Sequence, residues 1–388
     1  MLLELFFWLL LLGILYTYLG YGVLAWFWVR GKGSKLSPVI PLEWPKVSLV
    51  VPAYNEEAIL AGKIRNCLDL DYPMDRLQVI VVTDGSTDGS SRIAQGFGEI
   101  LHLHEPTRKG KIVSVNRAVK ASAGAEILVF TDANTMLNRE ALKRLVVHYG
   151  DPLVGGVSGE KKVRRLDGVA GEEGAYWRYE SALKKLDAAV YSVVGAAGEL
   201  FSMRARLYHE VPGDVVLDDF YLSMKICEAG YRVEYEPAAV AEENPSISLA
   251  DERERKIRIS AGAFQAMQLL GHLANPLRYG LLGVQFLSRR IMRWVFCPLA
   301  LPLALIINMI LVYIQEPPVE LYTALLVLQV VFYLLALAGW IWAAQGRRGV
   351  WIISLPYYFI FMNLSVWLGL FRYLNGGQSV VWQKASRQ

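Results

Sequence analysis

The run Ile127-Leu128-Val129-Phe130-Thr131-Asp132-Ala133-Asn134 constrains this chain more than any other stretch. Four apolar residues follow one another without polar interruption and then give way to a short polar turn. A strand buried on both faces reads this way and delivers side chains at its carboxyl end. In open α/β sheets, ligands sit just outside those ends. Asp132 and Asn134 stand two apart across a small residue, so both can turn toward one hard cation. Mg²⁺ or Mn²⁺ in such a place would be shared with a diphosphate, because these ions prefer oxygen ligands and phosphates. Taken alone, the stretch is better read as a strand closed by an Asx-turn, and the rest of the chain shifts the balance.

Apolar residues make up 54% of the 388 positions and are unevenly spread, which points to membrane segments beside a globular part. Residues 2–29 carry a single charge, Glu4, and as a helix they exceed a hydrocarbon core of about 30 Å. A spanning helix, tilted or broken at glycine, is expected. A cleaved leader is a poor fit, because a basic start is missing and Trp26-Phe27-Trp28 is no small-residue cleavage site. Arg30, Lys32 and Lys35 follow and place the next segment in the cytoplasm. Near the other end, residues 295–314 and 323–344 are long enough to span, and Arg347 and Arg348 mark a return. Residues 276–293 mix apolar side chains with Arg278, Arg289, Arg290 and Arg293, the pattern of a helix lying on the membrane surface. Residues 350–371 contain Pro356, which is expected to break the stretch into a pair returning to the cytoplasm. A span there would leave Arg372, Lys384 and Arg387 outside.

Between these ends the texture alternates. Strand signals at 47–51, 77–82 and 100–103 are separated by helix signals at 57–69, 90–97 and 111–122. This rhythm predicts a mostly parallel sheet. Residues 150–245 are less regular, with a glycine-rich piece holding Gly195 and Gly198 and an acidic pair, Asp218-Asp219, heading a helix. A net charge of +4 gives no basis for nucleic-acid binding. Three scattered cysteines, Cys67, Cys227 and Cys297, indicate neither a disulfide framework nor a zinc site. His102 and His104 alternate along a strand and read as surface residues.

Five short runs in order carry more than any one of them. They are Pro-Ala-Tyr-Asn-Glu-Glu at 52–57, Thr-Asp-Gly-Ser-Thr-Asp-Gly at 83–89, Arg-Lys-Gly-Lys at 108–111, Asp-Ala-Asn at 132–134 and Asp-Asp at 218–219. Over residues 46–265 the chain resembles the inverting family 2 glycosyltransferases, whose catalytic domain has the GT-A fold. Its apolar flanks resemble the membrane-bound branch that includes cellulose, chitin, hyaluronan and poly-N-acetylglucosamine synthases. The resemblance implies an α/β class, a GT-A (nucleotide-diphospho-sugar transferase) domain with a mostly parallel sheet, plus transmembrane and interfacial α-helices. The expected limits are a transmembrane helix at 1–30, a linker at 31–45, a cytosolic catalytic domain at 46–265, interfacial helices at 266–294, transmembrane helices at 295–372 and a tail at 373–388.

The resemblance also implies roles. Ala53, Tyr54, Glu56 and Asp84 would surround the nucleotide, with Asp84 accepting from a uracil N–H. Lys109, Lys111 and Arg258 would face the diphosphate, and Asp132 with Asn134 would hold Mg²⁺ or Mn²⁺. Asn134 stands where the family has a second Asp and offers a neutral carbonyl oxygen. Asp219 would be the general base that takes the acceptor's proton, with Asp218 beside it. Gly195, Gly198 and Trp177 are assigned to acceptor or supporting positions. Each motif also has a plain local reading: a turn at 84–86, an exposed basic loop at 109–111, and a capping pair at 218–219. The processive synthases' Gln-X-X-Arg-Trp corresponds here to residues 255–259, which keep Arg258 and lack the Gln and Trp.

The expected activity is metal-dependent, inverting transfer from a UDP-sugar (UDP-GlcNAc or UDP-glucose type) on the cytosolic face of the cell membrane. A growing β-linked polysaccharide is the favoured acceptor. A lipid acceptor is the alternative, supported by the altered Gln-X-X-Arg-Trp and the surface helix. A third reading is an inactive nucleotide-sugar-binding membrane protein. Membrane lipids are implied partners and nucleic acid is not.

Overall fold

Alternation of side chains across the sheet explains the unbroken apolar runs. Strand β1 (Val47–Ala53) is paired in parallel with β2 (Leu77–Asp84) on one side and β4 (Ile127–Thr131) on the other. Val50, Ile80, Val82, Leu128 and Phe130 are buried on one face, and Leu49, Val51, Val79, Val81 and Val129 on the other. Because helices cover both faces, neither face needs polar residues. The chain's structure, a computed structural model, describes residues 1–31, 40–122, 124–163, 170–244, 249–315, 319–345 and 350–376. Lys32, Lys35, Arg347, Arg348, Lys384 and Arg387 lie outside the described residues, as does most of the expected tail.

Among the described residues, eight strands form one sheet. With β3 (Leu101–Glu105), β5 (Thr135–Leu137), β6 (Val154–Val163), β7 (Leu200–Arg204) and β8 (Arg232–Glu243), its order is β3-β2-β1-β4-β7-β6-β8-β5. The half up to β4 is all parallel, as the βα rhythm predicts, with helices Glu57–Leu68, Ser90–Gln95 and Lys111–Ala121 as crossovers. The other half is mixed: β7 runs antiparallel to both β4 and β6, and β5 antiparallel to β8. Helix Asp218–Glu228 begins at the acidic pair and lies beside this second half.

Among the described residues, four helices are long and apolar enough to cross a membrane: Leu2–Gly31, Leu281–Ile314, Glu320–Ala344 and Trp351–Leu374. The first is continuous, with a π-type turn at Tyr16–Gly20, so of the two expected forms the glycine-broken one does not occur. Phe7 and Leu10 pack with Ala300, Ala304, Ile307, Leu311 and Tyr322 from the next two helices. Asn308 donates to Gln329 at 2.8 Å, a polar tie between apolar helices.

Two local expectations give way. The arginine-rich segment is not a separate surface helix. After Pro276–Tyr279 the chain breaks at Gly280 (φ 56°), and Arg289, Arg290 and Arg293 then belong to the same helix as the apolar residues 295–314. Arginine in that helix is tolerated because carboxylates meet it: Arg289 lies 2.9 Å from Asp187 and 3.1 Å from Glu180, and Arg293 also pairs with Glu180. Pro356, in turn, does not break helix Trp351–Leu374. It sits in the second turn, so the ring removes one backbone bond near the helix start and the rest continues. The far end of that helix lies against helix Leu249–Leu270, where Arg372 pairs with Glu254.

Candidate active site

Three parallel strand ends meet at the site. β1, β2 and β4 are neighbours, so Ala53, Asp84 and Asp132 emerge along one edge of the sheet. Ala53 is buried, and the chain then turns through Asn55 at φ 52°, a conformation that Asn tolerates better than most residues. Asn55 Oδ1 accepts the Thr87 N–H at 2.8 Å and its own N–H donates to Ser86 Oγ at 3.1 Å. The N–H of buried Glu56 donates to Ser90 Oγ at 2.8 Å, and Glu57 accepts the Gly89 N–H at 2.9 Å. The first two motifs therefore close into one interlocked pair of turns.

The third motif closes over the second. Gly85 has φ 61°, and a Cβ on it would stand 2.4 Å from the backbone nitrogen of Arg108. Buried Asp84 accepts the N–H of Lys109 at 2.8 Å and of Gly110 at 2.7 Å, fixing the entry to helix Lys111–Ala121. Each carboxylate oxygen still has a second lone pair for a ligand N–H. Lys109 sends its ammonium to Glu105, 2.9 Å away, and so does not join the other expected diphosphate residues. Arg108 stacks its guanidinium 3.5 Å from the centre of the Tyr54 ring, a cation–π contact that the sequence reading missed.

Lys111, Asp132, Asp218, Asp219 and Gly198 line one small pocket with apolar walls from Phe130, Phe201 and Leu222. The Lys111 ammonium donates to Asp132 Oδ1 at 2.7 Å and lies 3.9 Å from Asp218. Burial works against this ammonium, but Asp132 and Asp218 outweigh it and hold its pKa above the ordinary lysine value. The Asp132–Asn134 turn is braced from below by fully buried Lys63, which donates to Thr131 Oγ1 at 3.0 Å and to the Thr135 carbonyl at 2.6 Å. Among the described residues, no three His, Cys, Asp or Glu side chains converge as a metal cage. A site of the Mg²⁺ type needs only one or two carboxylates when substrate phosphates complete it, and Asp132 with Asn134 fits that donor set.

Asp219 stands at the head of its helix, where its Oδ1 accepts the Phe220 N–H at 2.8 Å. Burial, reinforced by Asp218 and opposed by Lys111, pushes its carboxyl up to about 7. Gly198 lets this group in: a Cβ there would lie 2.9 Å from Asp219 Oδ2. Gly195, at φ 93°, has no room for a side chain against Phe220 and Arg290. Next to Gly198, Glu199 pairs with buried Lys161, which also meets Glu243; burial works against the Glu199 carboxylate, but Lys161 holds it well below the usual range. Trp177 lies 5.0 Å from the Lys161 ammonium and 5.7 Å from that of Lys256. Arg258 is held below the ordinary arginine value by burial and by Arg255, while Asp218 and Asp132 pull the other way, which puts it within electrostatic reach of the site.

From Asp219 a cavity of about 1600 Å³ runs between the globular part and the apolar helices. Its head is charged, with Lys161, Lys184, Glu199 and Arg290 beside Trp177 and Gly195. Farther along, Leu11, Ile14, Leu328, Phe332 and Phe359 line it. Nothing in the sequence pattern announced this space, because its walls come from segments far apart in the chain.

Residues 48–209 match the model of the family described as Glycosyl transferase family 2. The chain is 25% identical over 223 residues to the probable glycosyltransferase YdaM of Bacillus subtilis, covering 51% of this chain and 50% of that protein. It is 23% identical over 205 residues to a poly-beta-1,6-N-acetyl-D-glucosamine synthase of Staphylococcus aureus, covering 50% and 48%. The chain thus spans about half the length of the curated relatives it matches. A mannosyltransferase from Pyrobaculum calidifontis, solved in complex with GDP-Man and Mn²⁺, superposes with a TM-score of 0.72 at 23% identity, covering 96% of this chain and 99% of that one. Sheet order, strand-end motifs and these likenesses agree: the chain carries a family 2 glycosyltransferase domain of the GT-A fold.

Proposed function

We propose that this chain is a membrane enzyme that transfers one sugar, with inversion, from a UDP-sugar to a lipid-borne acceptor. The observation that carries the acceptor class is the cavity, which joins Asp219 to the lipid-facing helices through a charged head and an apolar body. An amphiphile fits that gradient, with its headgroup at the base and its chain among Leu11, Ile14 and Phe332. A polysaccharide product is the second reading. It is favoured by the likeness to a relative named as a poly-N-acetylglucosamine synthase and by Trp177 at the cavity head.

In this reading Tyr54, Arg108 and Asp84 hold the nucleotide, while Lys111 and Arg258 face the diphosphate. Asp132 and Asn134 would hold Mg²⁺ or Mn²⁺, which supplies charge neutralisation for the departing diphosphate. Asp219, ionised above pH about 7, takes the proton of the acceptor hydroxyl as that oxygen attacks the anomeric carbon and the nucleoside diphosphate leaves. The catalytic domain is proposed to face the cytosol.

The test offers labelled UDP- and GDP-sugars to the protein in native membranes and separates solvent-extractable from polymeric product. Label from a UDP-sugar in the extractable fraction, carried as one sugar, is expected. A high-mass insoluble product supports the second reading, and turnover of GDP-sugars alone overturns the donor assignment.

A further inference from the structure

Lys111 sits where two demands conflict. Its ammonium is 2.7 Å from Asp132 Oδ1 and 3.9 Å from Asp218 Oδ2, in a pocket that Asp219 shares and that Phe130, Phe201 and Leu222 wall off. Carboxyl groups crowded together in this way favour a counter-charge when no ligand is present, although the Asp132 and Lys111 side chains remain 31% and 28% exposed. Lys63 feels Asp132 as well, but its fully buried ammonium is hydrogen-bonded to Thr131 and Thr135. Lys111 makes a direct ion pair with Asp132, and Arg258 also feels Asp132 and Asp218. A divalent ion arriving there must share the Asp132 carboxylate with a positive charge already bonded to its Oδ1, and like charges at that range repel.

We infer that Lys111 occupies the cation's place on Asp132 in the donor-free protein, so that a divalent cation binds only together with the donor diphosphate. The inference rests on the metal-assisted transfer proposed above. A lysine suits the task because its ammonium rides on a flexible four-carbon stem and carries three donors. Diphosphate oxygens entering the pocket give that ammonium a new acceptor. The stem swings, Asp132 is freed, and the same carboxylate then serves the ion. Cation and nucleotide affinities are therefore coupled, and the coupling must be reciprocal.

The experiment titrates the full-length protein with Mn²⁺, following the free ion by electron paramagnetic resonance, with and without UDP. The parent should bind Mn²⁺ weakly alone and at least about tenfold more tightly with UDP. Lys111→Met keeps length and removes charge; its nucleotide-free affinity should rise by about tenfold, and the tightening by UDP should shrink to match. Lys111→Arg should behave like the parent, and Lys111→Gln replaces the Met variant should that protein not fold. Equal nucleotide-free affinity in the parent and the neutral variant, with tightening by UDP intact in both, overturns the role of Lys111 and leaves the metal reading standing. Failure of every protein to bind Mn²⁺ in the presence of UDP removes the metal reading and the inference with it.

Discussion

The two halves of the site are built by different means. At the strand ends, Asn55, Glu56 and Glu57 bond to Ser86, Thr87, Gly89 and Ser90, and Asp84 bonds to Lys109 and Gly110. These are turn residues at adjacent parallel strand ends, satisfying one another's backbone groups. Around the head of the cavity, charges from remote segments meet in buried pairs. Arg289 reaches Asp187 across 102 positions, and Lys161 bridges Glu199 and Glu243. The strand-end half is held by local turn chemistry and the cavity-head half by long-range charge pairing, and Asp219 stands where they join. The first arrangement is stiff and sequence-encoded, whereas the second depends on every partner being present.

The largest effect should come at the junction. Asp219→Asn keeps the shape of the side chain but cannot take a proton, and turnover should fall by about 10²–10⁴-fold while UDP affinity stays near parental. The same variant should be more stable than the parent at pH 8. A carboxyl whose folded pKa stands near 7 binds more protons folded than unfolded, so its contribution is full below its unfolded value and is lost as pH rises through the folded one. A capping role for Asp219 forecasts the reverse, a loss of stability with turnover unaffected; denaturation at pH 8 and an initial-rate assay decide between them.

The comparison sharpens on each side. Arg289→Met should leave Asp187 and Glu180 buried without their shared partner, at about 3–5 kcal/mol, seen as a lower unfolding midpoint. Asp84→Ala should cost about 1–3 kcal/mol by orphaning two backbone N–H groups, in addition to any loss of UDP affinity. Smallest is Arg108→Ala, which removes the stack on Tyr54 and should weaken UDP binding by about 0.5–1 kcal/mol with no change in stability. An Arg289 variant as stable as the parent would break the contrast between the halves.

That contrast also sets what could be read from sequence. The strand-end motifs and the parallel half of the sheet were legible because each rests on period-two burial or on turn residues within a few positions. Arg289 and Arg293 read as a surface helix because their partners Glu180 and Asp187 lie about a hundred positions earlier and give no local signal. Lys63 carries no local signal of its role, because Thr131 and the Thr135 carbonyl that it meets lie about seventy positions later. Pro356 was overweighted: its place near the helix start blunts its effect.

Asp219 as the proton acceptor is the central claim, and turnover as a function of pH tests it most directly. Initial rates at limiting acceptor should be followed from pH 5 to pH 9, with UDP affinity measured at each point. Because Asp219 titrates near 7, kcat/KM should be level above that value and fall about tenfold per pH unit below it, with UDP affinity changing far less. A profile that stays level down to pH 5 would place the base on another group and contradict the account.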